Sequence, residues 1–274
     1  MNTPEITVCP PGADVSGTPA ERAGVKPTVA VFSLTSCEGC SLSILELEDE
    51  LLDILGRFEI VNFREAMSER SWEIDVGFVD GAVSTPDDEN EIRHFRECCK
   101  TLVAIGACAC LGGVNSLKHH QPADEYPRYV YGERADWFPT GDARPLSSLV
   151  KVDYEIPGCP INRAEFLRFL KCLLAGRPFR LPTDPVCVEC KARGNLCLYE
   201  QGEICLGPVT RAGCEAICPS FGAPCEACRG TLGDESLTAA AVNMRQNYQV
   251  PMDEVLRRFR TYGAFQGKHL PGDA

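Results

Sequence analysis

From Cys187 to Cys228 the chain reads C-x2-C-x6-C-x7-C-x8-C-x3-C-x6-C-x2-C, eight cysteines in one run crowded with Gly and Pro. Neither helical nor strand periodicity runs through it. Such a segment cannot build a conventional core, so bound metal would have to organise it. Thiolates are soft donors that suit both zinc and iron–sulfur clusters. A disulfide framework fits poorly, because the 274-residue chain carries an odd 17 cysteines and no secretory pattern at Met1 to Lys26. Three details favour clusters over zinc. No histidine lies among the eight; the four are His94, His119, His120 and His269. Cys214-x3-Cys218-Pro219 repeats the C-x3-C-P ending of bacterial ferredoxins. Eight thiols match two 4Fe–4S sites with no remainder.

The chain before this run has a different character. Met1 to Lys26, rich in Pro, Gly and Thr, reads as a mobile arm in which Cys9 is uncoordinated. Thr28 to Leu34, Glu59 to Phe63, Ile74 to Val79, Thr101 to Ile105 and Val152 to Ile156 read as strands. Ser41 to Leu55 reads as a helix with Ile44, Leu47, Leu51 and Ile54 as its apolar stripe. Thr85-Pro86-Asp87-Asp88 opens a second helix running to about Cys99, and Pro160 to Ala175 looks helical. Leu111 to Pro145 shows weak periodicity. Strands alternating with helices imply a parallel sheet covered on both faces, so the chain is expected to be α/β, with a flavodoxin-like doubly wound domain.

In such sheets ligands gather beyond the carboxyl ends of the strands. Cys37 and Cys40 follow the first strand, Cys108 the fourth and Cys159 the fifth. Four thiols remote in sequence therefore converge at one sheet edge, flanked by Gly39, Gly106, Gly112, Gly113 and Gly158. By spacing alone Cys110 could replace Cys108. The predicted layout is an arm over 1–26, a flavodoxin-like domain over 27–176, a small irregular iron–sulfur domain over 177–230, and a tail over 231–274 with a helix at Met252 to Phe259.

Charge narrows the partners. Lys and Arg number 27 against 39 Asp and Glu, a net charge of −12, which excludes the basic footprint of a nucleic-acid binder. No apolar run approaches the roughly 18 residues that would span a bilayer, and a cytoplasmic protein is expected. No GxGxxG or GxxxxGK[ST] pattern appears, so no nucleotide is expected on this chain.

These residues resemble the small subunit of nickel–iron hydrogenases. The resemblance rests on Ser36-Cys37-Glu38-Gly39-Cys40, Gly106-Ala107-Cys108-Ala109, Pro157-Gly158-Cys159-Pro160, Cys197-Leu198-Tyr199, Cys205-Leu206-Gly207-Pro208 and Cys225-x2-Cys228. It covers about Val29 to Gly230 and looks closest to the cytoplasmic branch that reduces soluble carriers. The resemblance implies three 4Fe–4S clusters. Cys37, Cys40, Cys108 and Cys159 would hold the proximal one. Cys187, Cys190, Cys197 and Cys205 would hold the distal one, and Cys214, Cys218, Cys225 and Cys228 the medial one. It favours Cys108 over Cys110. It further implies a separate large subunit bearing the nickel–iron centre, where hydrogen is oxidised or protons reduced. Electrons would leave through another subunit carrying flavin or iron–sulfur groups.

Three departures from the family pattern matter. Cys187 stands where membrane-linked relatives often carry His, and Cys218 where they often carry Pro and a three-iron medial cluster. Both changes imply all-thiolate 4Fe–4S sites. Ser36 stands where uptake enzymes often carry Glu, so a proton-relay role for that Glu does not transfer. Two rival readings are a quinone-reducing subunit like that of complex I and a zinc-stabilised structural protein. The first typically has adjacent cysteines at the first site and lacks the eight-cysteine run.

The remaining candidates take bland readings. Cys98, Cys99 and Cys172 are packing thiols on helices, and Cys110 is a small buried hydrophobe. Glu38 and Asp80 are solvated or capping carboxylates. His119 and His120 face solvent from a loop.

Overall fold

The computed structural model describes residues 26–68, 70–120, 125–233 and scattered positions between 242 and 262. The arm expected over Met1 to Lys26, save Lys26 itself, lies outside the described residues, as does most of the helix expected over Met252 to Phe259.

Five strands form one parallel sheet: β1 (Thr28–Ser33), β2 (Glu59–Phe63), β3 (Ile74–Asp80), β4 (Cys99–Ile105) and β5 (Tyr154–Ile156). Their order is β2-β1-β3-β4-β5, the flavodoxin-like arrangement expected from the alternation of elements. Val31 pairs with Phe78, and Phe78 with Val103, in the central register. The central strands are apolar on both faces, as a covered parallel sheet requires. Val31, Phe78 and Val103 point into one core with Phe166 and Phe169. Ala30, Val79 and Ala104 point into the other with Ile92 and Phe95.

The helices are α1 (Gly39–Leu45), α2 (Asp49–Arg57), α3 (Pro86–Cys98), α4 (Gly106–Leu111), α5 (Glu125–Tyr131), α6 (Arg163–Leu174), α7 (Val186–Ala192) and α8 (Ile217–Ser220). α3 starts at a reciprocal box. The Asp88 amide donates to Thr85 Oγ1 at 3.1 Å, and the Thr85 amide to Asp88 Oδ2 at 2.9 Å. Pro86 fills the first helical position, where no amide donor is needed.

Four expectations need correction. Ser41 to Leu55 is not one helix: the chain turns between α1 and α2, with Glu48 at φ 53°. Leu47 in that turn is still buried, so the apolar stripe runs on through the break. Cys99 opens β4 rather than ending α3. Leu111 to Pro145 is more ordered than its periodicity suggests, with 3-10 turns at Val114–His120 and Gly132–Trp137 on either side of α5. His119 lies in the first of these turns, its side chain only 20% exposed and 3.7 Å from Asp142. It does not face solvent from a loop.

Candidate metal centres

The first thiol group sits at the carboxyl edge of the sheet. β1 ends at Ser33, and Leu34 and Thr35 stay tied to the loop after β3 through Asp80 O and Ala82 O. The chain then turns through Cys37 and Glu38, whose φ of 63° is left-handed, into α1. This places Cys40 in the first helical turn, buried, and Cys37 exposed before it. β4 delivers Cys108 on α4, and β5 delivers Cys159 on the loop beyond it. The Ala107 amide donates to Gly158 O at 2.6 Å and locks these two loops together. Cys40 and Cys108 each lie within electrostatic reach of Cys159 and of one another, and Cys37 of Cys108 and Cys159.

Glycine is required where these loops approach. Gly106 adopts φ 84°, and a Cβ there would sit 2.4 Å from Cys40 Sγ. Amide donors face the sulfurs, Ile161 toward Cys40 and Val114 toward Cys108. Asn115 Nδ2 adds a 3.7 Å contact to Cys108 Sγ. Burial, then Asp80 and the neighbouring thiols, push the Cys108 thiol up to about 12 and that of Cys40 higher still. Such buried sulfurs become thiolates only against a cation, so the group suits a metal core better than a set of free nucleophiles.

Cys110 points away on the far side of α4, its Sγ 3.5 Å from Ala104 O within the second core. Cys98 and Cys99 are buried in that same core, and Cys172 is partly buried against the first.

Asp80 is not solvated. It is 2% exposed, and it faces the amides of Ser41 and Cys40 at the start of α1 from the neighbouring strand. Burial pushes its pKa up to about 6, and the charge of Glu38 adds to the rise against the pull of those amides. Glu38 accepts a hydrogen bond from Ser33 Oγ and shares another with Glu65. Burial, followed by that neighbouring carboxylate, pushes Glu65 up.

The other eight thiols follow in the segment after α6. α7 carries Cys187 and Cys190 one turn apart, on one helix face. Cys197 precedes a 3-10 turn at Leu198–Gln201, and Tyr199 Oη donates to Cys205 O at 2.6 Å, bringing Cys205 back. Cys187 lies within reach of Cys190, Cys197 and Cys205, and burial pushes its thiol up to about 11. Cys228 lies within reach of Cys214, Cys159 and Cys218, and Cys225 within reach of Cys205 and then Cys228. Glu215, Ala216 and Ala227 all take positive φ, a costly backbone for residues with a Cβ. It turns the amides of Ala216 and Ala227 toward Cys214 and Cys225. Among the described residues no three His, Cys, Asp or Glu side chains close to single-ion spacing.

Sequence reasoning gave Asp80 as a solvated or capping carboxylate and missed its burial, although its place at a strand end beside the thiols was a signal. It also missed Glu189, which accepts the Gly213 amide at 2.8 Å and so ties α7 to the chain just before Cys214. Arg229 and Tyr262 were missed as well, and nothing local marks them.

A parallel sheet that gathers thiols at its carboxyl edge, then runs into eight more, defines a redox α/β protein. Residues 37–173 match the family model for the NADH ubiquinone oxidoreductase 20 Kd subunit. The chain is 37% identical over 236 residues to sulfhydrogenase 2 subunit delta of Pyrococcus furiosus, covering 85% of this chain and 98% of that one. It is 35% identical over 244 residues to a vhu subunit of the F420-non-reducing hydrogenase of Methanocaldococcus jannaschii, covering 78% of this chain and 84% of that one. The crystal structure of an NAD+-reducing NiFe hydrogenase in the H2-reduced state is similar at a TM-score of 0.53 and 26% identity, covering 58% of this chain and 96% of that one. The chain therefore belongs to the NADH ubiquinone oxidoreductase 20 Kd subunit family and, within it, to the hydrogenase small subunits. No helix among the described residues is long and apolar enough to cross a membrane.

Proposed function

We propose that this subunit carries electrons through three 4Fe–4S clusters, between a nickel–iron centre on a separate large subunit and a partner redox subunit in the cytoplasm. Cys37, Cys40, Cys108 and Cys159 would hold the proximal cluster, on a flavodoxin-like domain over 27–176. Cys214, Cys218, Cys225 and Cys228 would hold the medial cluster, and Cys187, Cys190, Cys197 and Cys205 the distal one, on a small domain over 177–230. The observation that carries this reading is the run of buried thiols that lie within reach of one another and face backbone amides, which we divide into three sets of four. Thiolate donors, amide hydrogen bonds to sulfur and limited solvent are what tune such clusters.

When bound, the clusters supply one-electron storage at spaced stations. The chain supplies the spacing, the donors to sulfur and the exclusion of water. The eight-thiol segment lies beyond the 37–173 match to the oxidoreductase family and favours the hydrogenase reading over a quinone reductase.

Metal and sulfide analysis of the anaerobically isolated complex tests this. After subtraction of partner cofactors, about 12 iron and 12 sulfide per copy, with nickel in a co-purifying subunit, are expected. Iron without nickel would overturn the hydrogenase assignment. Zinc in place of iron would overturn the redox reading altogether.

A further inference from the structure

Arg229 follows the last cysteine and is fully buried, with a side-chain exposure of 0%. Every face of its guanidinium is occupied. Nε donates to Ala212 O at 3.0 Å and Arg211 O at 3.2 Å, just before Cys214. Nη1 donates to Pro157 O at 2.6 Å, two residues before Cys159. Nη2 donates to Glu165 Oε1 at 3.0 Å and lies 2.8 Å from Oε2, on α6. Gly213 lies flat over this pair: a Cβ there would sit 2.4 Å from Arg229 Nη2 and 2.5 Å from Glu165 Oε1. One side chain thus fastens the segment of the last thiol group to the Pro157–Cys159 turn of the first. At the same junction the Cys159 amide faces Cys228 Sγ.

The guanidinium is the cationic end of a buried ion pair with Glu165, in a medium of low dielectric, and it is the end that acts on Cys214. Burying it is expensive, and hydrophobic packing would hold two loops together at less cost. Its position beside Cys214 and Cys228 gives the charge a second use. A four-thiolate cluster is anionic and gains one more negative charge on reduction, so a nearby fixed cation favours the reduced form.

We propose that Arg229 is a positioning residue for electron transfer: it holds Cys228 against the Pro157–Cys159 turn, so that electrons cross between the proximal and medial clusters at the Cys159–Cys228 contact, and its charge raises the medial potential. The step moves one electron, oxidising one cluster and reducing the other, with no bond made or broken and no proton moved. The proposal rests on the three-cluster reading.

The test is a redox titration of the purified complex followed by electron paramagnetic resonance. The parent must show three titrating centres on this chain; fewer would overturn the three-cluster reading itself. Given three, Arg229→Gln is expected to lower one midpoint and leave two in place. The ratio of dye reduction by hydrogen to hydrogen–deuterium exchange should fall several-fold. Because Arg229→Gln leaves the buried Glu165 with Arg168 alone, at 3.4 Å, the double variant Arg229→Gln/Glu165→Gln is measured beside it; it removes opposite charges together, so the same midpoint should fall by less. Arg229→Lys keeps the charge and loses the fork, so its three midpoints should match the parent while the ratio still falls. Unmoved midpoints in the Gln variants, or all three moving together, would overturn the proposal. If neither Gln variant loads clusters, the Lys variant decides, and a parental ratio there would sink it.

Discussion

The amide of Cys225 donates to the sulfur of Cys205 at 3.3 Å, and the Leu206 amide donates back to Cys225 O at 2.9 Å. The proposed medial and distal thiol groups therefore share a boundary. Cys225 gives the proposed distal group an N–H, and its own thiol lies within reach of Cys205 and then Cys228. Cys225→Ala should remove one cluster and spare the other two, because the amide survives the substitution. Iron should fall from about 12 to about 8 per chain. A fall to about 4 would mean that the two groups load as a unit.

At the sheet edge the tightest constraint is Gly106. An added Cβ would meet Cys40 Sγ at 2.4 Å, on a backbone with φ 84°. Gly106→Ala should displace that sulfur and cost the proximal cluster, leaving the medial and distal centres visible by electron paramagnetic resonance. Retention of all three signals would show that α4 can shift to make room.

Tyr262 brings the tail to this junction. Its hydroxyl is hydrogen-bonded to Cys159, while Arg258 pairs with Glu226, between Cys225 and Cys228. Burial, then the neighbouring thiols, raise the Tyr262 pKa, so the hydroxyl remains a donor. Donors to a ligand sulfur stabilise the reduced cluster. Tyr262→Phe should therefore lower the proximal midpoint without changing iron content. An unchanged midpoint would confine Tyr262 to packing.

The sheet has its own acid limit. Lys100 Nζ lies 2.9 Å from Asp75 Oδ1, and the Thr28 amide donates to Asp75 Oδ2 at 2.9 Å. Burial works against this carboxylate, yet the Thr28 amide and the Lys100 ammonium outweigh it and hold its pKa below the usual range. A lowered folded-state pKa means that the unfolded chain binds more protons. The contribution is complete above the ordinary value of about 4 and is lost as pH falls through the folded one. Asp75→Asn should cost about 1–3 kcal/mol at pH 7, with the gap from the parent closing at pH 3. Denaturant titrations at both pH values read this directly. An equal gap at both would assign the loss to shape rather than charge.

Much of this was legible in the chain itself. Runs of apolar residues at Thr28, Ile74 and Thr101 specify central strands because both sheet faces are covered. Once those strands are placed, Cys37, Cys40, Cys108 and Cys159 have no other edge to occupy. The break before α2 was hidden because Leu47 keeps its place in the helical stripe while sitting in a turn. α4 was hidden because Gly106-Ala107-Cys108-Ala109 is too short and too small-residued to show a period. Arg229 and Glu165 were hidden for a different reason: a buried pair far apart in sequence leaves no local pattern, and only the fold brings the two side chains together.

The three thiol groups also differ in when they can come into being. Cys187, Cys190, Cys197 and Cys205 lie within one short stretch whose ends meet at small entropic cost. Cys37, Cys40, Cys108 and Cys159 meet only after β1, β3, β4 and β5 have been laid side by side, through parallel pairings that form slowly. On the three-cluster reading, maturation would follow an order: the segment after α6 would receive metal once its own short loops had closed, whereas the sheet edge would wait for nearly the whole domain.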